Sequence, residues 1–101
     1  MANSLKTANF LMESRLRDAA RGDAHAFFDL GVVYSTGTGG VAVDLIEAHK
    51  WFNLAAVSGL GAAQAARAES GEDMTAREIA EAQRAARAWL AAREPARRLA
   101  A

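Results

Sequence analysis

The chain has 101 residues, with 12 lysines and arginines against 12 aspartates and glutamates, and it contains no cysteine. A formal net charge of zero gives no bulk electrostatic reason to expect a nucleic acid or an anionic membrane as partner. The absence of cysteine excludes disulfides and thiolate metal sites. No apolar run is long enough for a signal peptide or a membrane span, so we expect a cytoplasmic protein.

The composition favours helices throughout. Alanine supplies 26 residues and proline only one, Pro95. Alanine has the highest helix propensity of all residues, and no segment alternates polar and apolar residues as a strand would. We therefore predict a single all-α domain over residues 1–101.

Charge is distributed unevenly along this neutral chain. Residues 1–22 carry a net charge of +2, residues 23–73 carry −5 and residues 74–101 carry +3. We expect the basic ends to pair with the acidic middle inside the fold.

The first two predicted helices cover residues 5–21 and 24–35. Ser4 is the candidate N-cap of the first helix. Gly22 ends that helix, and Asp23 caps the second. Gly31 lies within the second helix, where glycine costs about 1 kcal/mol relative to alanine. Such a glycine indicates the close approach of another element, which we expect to be the aromatic face of the third helix.

A glycine-rich segment over residues 36–40 separates the second and third helices. Its glycines can adopt the positive φ angles of a tight turn. A phosphate-binding loop is the alternative interpretation, since helix N-termini attract anions. Phosphate loops follow a strand, however, and this segment follows a helix and lacks the P-loop lysine. The pattern favours a simple turn.

The third helix is predicted from an N-cap at Asp44 to Ser58 and Gly59, with Glu47 placed to complete a pair like a capping box. Its apolar residues extend well beyond one stripe, which predicts that it forms the core of the domain. We expect the flanking helices to cover Trp51, Leu54 and Val57.

Two further helices complete the chain. An alanine-rich helix is predicted over residues 62–70, closed by residues 71–73. Thr75 and Glu78 form a capping box at the start of the last helix. We expect Pro95 to end that helix, because proline lacks the amide hydrogen that continues a helix, and residues 94–101 to form a loose tail.

A pattern of small, glycine and aromatic positions extends over about 36 central residues: Ala26, Leu30, Gly31, Tyr34, Gly37, Gly39, Asp44, Ala48, Trp51, Phe52, Ala55, Ala56 and Gly59. This pattern resembles the Sel-one-like repeat, a helical-hairpin family related to tetratricopeptide repeats. Gly40 makes the turn one residue longer than the usual pattern.

The resemblance implies a short α-solenoid of antiparallel helical hairpins with about five helices. Residues 5–22 would be an N-terminal helix, residues 24–59 one full repeat, and residues 61–93 a degenerate repeat with a capping helix. Members of this family act as scaffolds and adaptors, so the resemblance implies a non-catalytic module that binds a peptide or helix of a partner protein. The first helix of each hairpin would line the concave binding face. The candidate partner-binding residues are His25, Phe28, Asp29, Val32 and Ser35, with His49 and Asn53.

Other interpretations of these residues remain open. Phe28 and Val32 also suit packing, and His49 suits the solvated or ligand-facing side of the central helix. His25 and Asp29 lie four residues apart and could share a metal, although an exposed pair is the simpler interpretation. We predict no catalytic residue, cofactor or metal, because no set of reactive groups has the required spacing.

Two alternatives to an adaptor function imply different partners. The chain could be a structural homo-oligomer that self-associates through apolar helix faces. A weaker alternative is RNA binding by the C-terminal arginines, but these are interleaved with glutamates and lack aromatic stacking partners, so we expect no nucleic-acid partner. They are Arg77, Arg84, Arg87, Arg93, Arg97 and Arg98.

Overall fold

The computed structural model describes the backbone of residues 2–100 and the side chains of residues 6–93. Within residues 2–100 the chain forms five α-helices and no strand, which confirms the all-α prediction. A single 3-10 turn, Thr38–Gly40, lies between the second and third helices. The helices are α1 Ala2–Ala20, α2 Ala24–Thr36, α3 Leu45–Val57, α4 Gly61–Glu72 and α5 Ala76–Ala100.

The predicted side-chain caps form at the starts of α2 and α5. The Asp23 carboxylate accepts a hydrogen bond from the His25 amide at 2.9 Å. At α5 the capping box is complete: the Glu78 amide donates to Thr75 Oγ1 at 3.1 Å, and the Thr75 amide donates to Glu78 Oε1 at 2.8 Å. These bonds satisfy amides that have no partner within the helix.

The cap of α3 is only half of the predicted pair. Asp44 accepts from the Glu47 amide at 3.1 Å, as expected. The Asp44 amide, however, donates to the Tyr34 carbonyl at 2.9 Å, and the Glu47 carboxylate pairs with Lys50. Because α2 already supplies an acceptor for the Asp44 amide, Glu47 is left for the ion pair.

Three predicted helix boundaries are wrong. α1 begins at Ala2, so Ser4 is helical and cannot act as an N-cap, which needs a non-helical backbone. α4 continues through Gly71 to Glu72, because Gly71 does not take the positive φ of a C-terminal glycine.

The third error is at Pro95, which was predicted to end the last helix. α5 continues past Pro95 to Ala100. Proline removes one amide donor, while the residues around it are glutamate, alanine, arginine and leucine, which have high helix propensities.

The glycine-rich segment forms a turn, as predicted. Gly37 ends α2 in the left-handed region with φ 75°, and its amide donates to the Val33 carbonyl at 2.9 Å. Gly39 has φ 73° within the following 3-10 turn. Two residues in a conformation that side chains disfavour explain why glycine occupies these positions.

α3 is the centre of the molecule. It packs against α2, α4 and α5, while α1 packs against α2, and α4 and α5 make little contact with each other. The prediction that this helix forms the core is confirmed by its buried residues: Ala48, His49, Trp51, Phe52, Asn53, Leu54 and Ala55.

Three aromatic rings join α2, α3 and α5. The ring centroids of Phe27 and Trp51 are 5.9 Å apart, those of Phe27 and Trp89 are 5.2 Å apart, and those of Trp51 and Trp89 are 5.8 Å apart. Both contacts of Trp89 are edge-to-face, the arrangement that the ring quadrupoles favour. This cluster fixes α5 against α2 and α3.

The flanking helices cover most of α3 but leave its last residue open. Trp51 and Leu54 are buried, as predicted, whereas Val57 is 72% exposed. Val57 ends α3 and lies in the gap that remains between α4 and α5. The prediction was therefore wrong at Val57.

The expected pairing between basic ends and acidic middle does not form among the side chains of residues 6–93. The salt bridges there join neighbours on one helix or at its end, Arg21 to Asp18 and Lys50 to Glu47. The guanidinium of Arg93 lies over the ring of Trp89 instead, 4.9 Å from its centroid. Helix packing brings apolar faces together and leaves most charges in solvent.

Candidate functional site

A groove of 380 Å³ lies between α2 and α4, above the first half of α3. We call it the α2–α4 groove. Its apolar surface includes Phe28 and Phe52, whose ring centroids are 5.5 Å apart, and Val32, which is 37% exposed. The full lining is Phe28, Val32, Ser35, Thr36, Leu45, Phe52, Ala66, Glu69, Ser70 and Asp73.

The charges along the α2–α4 groove are all negative. Glu69 and Asp73 come from α4 and its C-terminal end, and no lysine or arginine is among the lining residues. Neither carboxylate takes part in a salt bridge with a described side chain. The groove therefore favours a ligand that carries positive charge.

The hydroxyl groups along the α2–α4 groove already donate their hydrogens within the protein. Ser35 and Thr36 donate to the Val32 carbonyl at 3.1 and 2.8 Å, and Ser70 donates to the Arg67 carbonyl at 2.9 Å. Two of these oxygens have a second partner within the protein: Thr36 Oγ1 contacts Thr38 Oγ1, and Ser70 Oγ contacts His49 Nδ1. The carboxylates of Glu69 and Asp73 beside apolar rings suit a partner that brings both hydrogen-bond donors and an apolar side chain.

A second groove lies between α4 and α5, which diverge and leave part of α3 uncovered. We call it the α4–α5 groove. Its larger part measures 630 Å³ and is lined by His49, Asn53, Arg67, Ala68, Gly71, Glu72, Ile79 and Gln83. An adjoining space of 220 Å³ shares Asn53, Arg67 and Gln83 with it and adds Val57, Ala86, Arg87 and Leu90.

His49 is one of two buried polar residues on the floor of the α4–α5 groove, and it is 4% exposed. Its Nδ1 lies 2.8 Å from Ser70 Oγ. Because the Ser70 hydroxyl donates to the Arg67 carbonyl, we assign the hydrogen of this contact to His49 Nδ1. Burial, and to a smaller extent the positive charge of Arg67, lower the pKa of His49 below its usual 6.5. The neutral imidazole therefore acts as a packed structural donor.

Asn53 is the other buried polar residue and is 8% exposed. Its Oδ1 accepts a long hydrogen bond of 3.5 Å from Arg67 Nη1. Its Nδ2 is buried and has no hydrogen-bond partner. An unpaired buried amide costs free energy, so this residue is held in place at the expense of stability.

The predicted partner-binding residues separate into three groups in the structure. Phe28, Val32 and Ser35 come together in the α2–α4 groove. His25 and Asp29 are exposed on α2 but lie outside the lining of that groove.

The third group, His49 and Asn53, faces the α4–α5 groove from the floor, so the interpretation of His49 as a solvated residue was wrong. His49 lies on α3, which is apolar on several sides, and α4 covers the side of α3 on which His49 lies.

Sequence reasoning missed the groove residues that α4 and α5 contribute. Glu69 and Asp73 belong to the acidic middle of the chain, which was a signal for a negative surface. Arg67 and Gln83 gave no such signal, because their positions depend on the divergence of α4 and α5.

Neither metal ligands nor a membrane-spanning helix are apparent in the described part of the chain. Its side chains hold no group of three or more histidine, aspartate or glutamate residues that could bind a metal ion. None of its helices is both long enough and apolar enough to cross a membrane.

Comparison with known proteins gives no relative of this chain. No protein-family model, no curated protein and no solved structure matches it. The functional argument therefore depends on the residues of the chain itself.

Proposed function

We propose that this protein is a Sel-one-like helical-repeat module that binds a peptide or helix of a partner protein and performs no catalysis. The spacing of its small and aromatic residues supports the repeat. So does the packing of α2 against α3, where Gly31 meets the ring of Phe52: a Cβ at position 31 would lie 2.4 Å from Phe52 Cε1. In this proposal α2 and α4 are the first helices of successive hairpins, and the α2–α4 groove is the concave face of a short α-solenoid.

The observation that carries the binding proposal is the composition of the α2–α4 groove. It combines Phe28, Val32 and Phe52 with the carboxylates Glu69 and Asp73, and no cation lines it. An apolar groove between helices suits an amphipathic segment that buries its apolar face there. The partner segment in this proposal carries an apolar anchor next to lysine or arginine.

The test is selection of binding peptides from a random library displayed on phage, with the 101-residue protein immobilised. We expect the selected peptides to combine apolar anchors with lysine or arginine. The two variants that test the groove are Val32→Ser, which removes apolar contact, and Glu69→Lys/Asp73→Lys, which reverses the charge. Each should weaken a selected peptide at least tenfold, measured by fluorescence anisotropy.

Matched control variants place the same changes elsewhere. Val43→Ser alters an exposed valine before α3, and Glu81→Lys reverses an exposed carboxylate on α5. Both should leave peptide affinity within twofold of the original protein. If the groove variants did not change the affinity of the selected peptides, the α2–α4 groove would not be their binding site.

A structural homo-oligomer is the second candidate, and the outer face of α1 favours it. Phe10 is 64% exposed there, and Leu11 beside it is exposed as well. A pair of large apolar side chains in solvent marks a surface that can bury area against another subunit. Sedimentation velocity over a hundredfold range of concentration tests this candidate. A constant monomer, for the original protein and for Phe10→Ser alike, would exclude it.

A further inference from the structure

The α4–α5 groove differs in charge from the α2–α4 groove on the other side of α4. Arg67 and Arg87 line its middle and its open end, and Glu72 is the one carboxylate among its lining residues. Glu72 lies five residues beyond Arg67 on α4, toward the α4–α5 connection. One helix therefore forms a wall of two grooves with opposite charge.

Arg67 has no strong partner among the side chains of residues 6–93. Its one described side-chain hydrogen bond is the 3.5 Å contact with Asn53 Oδ1, and no carboxylate of the described side chains pairs with it. Arginine presents a planar set of donors that matches a carboxylate in geometry. A half-buried guanidinium with these donors unused is prepared for an acceptor from outside the chain.

Asn53 supplies an independent observation at the same place. Its side chain is more than nine-tenths buried in the groove floor, and its Nδ2 donor has no partner. Gln83 brings a second amide to the opposite wall from α5. Burying an unpaired donor is unfavourable unless it acquires an acceptor, so Asn53 Nδ2 leaves an unsatisfied donor at the groove floor.

The open end of the groove is apolar. Val57 is the most exposed large hydrophobic residue among the described side chains. Leu90 and Ala86 of α5 face the same 220 Å³ space. Arg67 and Arg87 border that space too. An occupant must therefore bring an apolar side chain and an acidic group close together.

We propose that the α4–α5 groove is a second protein-binding site, which takes an acidic amphipathic segment of a partner protein. An aspartate or glutamate side chain of that segment binds Arg67, with Gln83 as a further donor. An apolar side chain next to it packs on Val57 and Leu90. This site has the opposite charge preference to the α2–α4 groove and does not depend on it, so one small module can join a basic and an acidic partner segment.

The probe is a peptide acetylated at its N-terminus and amidated at its C-terminus, with leucine and glutamate at helical spacing, so that its side chains provide the only carboxylates. Binding is followed by two-dimensional ¹H–¹⁵N NMR of the full chain. We expect the amide signals of Arg67, Gln83 and Leu90 to shift. A peptide with glutamine in place of glutamate should bind at least tenfold more weakly, and 0.5 M salt should weaken the acidic peptide about as much.

Two variants test the arginines. Arg67→Gln should lower affinity about tenfold and Arg87→Gln about threefold, since Arg87 is exposed to solvent. Arg77→Gln changes an exposed arginine on α5 outside both grooves and should have no effect. Glu69→Lys/Asp73→Lys should also leave this peptide bound, which separates the site from the proposed function. Circular dichroism confirms that each variant is folded.

Three results would overturn the proposal. Equal binding of the glutamate and glutamine peptides would remove the role of the carboxylate. Shifts confined to the α2–α4 groove would assign the peptide to the other site. If a single-stranded RNA oligonucleotide bound more tightly than the acidic peptide and lost affinity in Arg67→Gln, the groove would be a nucleic-acid site instead.

Discussion

The ring of Phe52 occupies the space that a side chain at position 31 would need, so Gly31 allows α2 and α3 to approach closely. A Cβ built at position 31 would lie 2.4 to 2.9 Å from three atoms of that ring, and both residues are buried. Glycine weakens α2 locally, yet it permits the close contact between α2 and α3.

Gly31→Ala should lower the free energy of unfolding. Overpacking in a core costs about 1–3 kcal/mol, and the helix propensity of alanine returns about 1 kcal/mol. We expect a net loss of up to about 2 kcal/mol in urea unfolding followed by circular dichroism. Gly71→Ala is the matched control, because a Cβ there would make an ordinary 3.5 Å contact with His49 Cε1. A stabilised Gly31→Ala variant would show that Phe52 yields without cost.

His49 should make stability depend on pH. Its pKa in the folded protein lies below the usual 6.5, so the unfolded chain binds the proton more readily. The contribution of His49 is therefore fully present above about pH 6.5 and is lost as the pH falls through that value toward the folded-state pKa. The urea concentration at the unfolding midpoint should decrease as the pH is lowered from 7.5 to 5.5. His49→Gln should make that decrease smaller.

His25→Gln is the control for this measurement, because His25 is exposed. The variant should keep the pH dependence of the original protein. An unchanged slope in His49→Gln would mean that other groups cause the dependence.

The capping box at α5 should contribute measurably to stability. Thr75→Ala removes the acceptor of the Glu78 amide, and loss of such a cap costs about 1 kcal/mol. Thr75→Ser keeps a hydroxyl and should restore most of the loss, as thermal unfolding would show. If the alanine and serine variants unfolded alike, the Thr75 hydroxyl would have no capping role.

Trp89 should be the main attachment of α5. Its ring contacts both Phe27 and Trp51, and removal of a large aromatic ring from a core costs about 3–5 kcal/mol. Because Trp89 is only half-buried, we expect about 3 kcal/mol for Trp89→Ala and less for Trp89→Phe. Leu90→Ala, at the neighbouring exposed position, should cost about 1 kcal/mol or less. Equal losses at the two positions would argue against the ring cluster as the attachment.

Local sequence signals predicted the elements of this fold well. The glycines at 22, 37 and 59 take positive φ angles at helix ends, and Asp23, Asp44 and Thr75 act as caps. These features depend on a few neighbouring residues. The exceptions are Ser4, Gly71 and Pro95. At Pro95 the prediction failed because the tolerance of a helix for proline depends on the propensities of the residues that surround it.

The grooves were less predictable, since they depend on packing between distant segments. Phe28, Val32 and Ser35 were expected on one face of α2, and they do share a groove. The position of α4 opposite them, and its separation from α5, follow from the contacts that both helices make with α3. No periodicity within one helix contains that information, which is why the burial of His49 and Asn53 was missed.

α4 is held in place by little apolar burial, since Ala63 is its one buried residue. Segments with few buried contacts open locally at a lower free energy than the whole protein unfolds. Detachment of α4 would abolish both grooves at once while the aromatic contacts among α2, α3 and α5 persist. A ligand in either groove must therefore slow hydrogen exchange along the whole of α4, including amides on the side it does not touch.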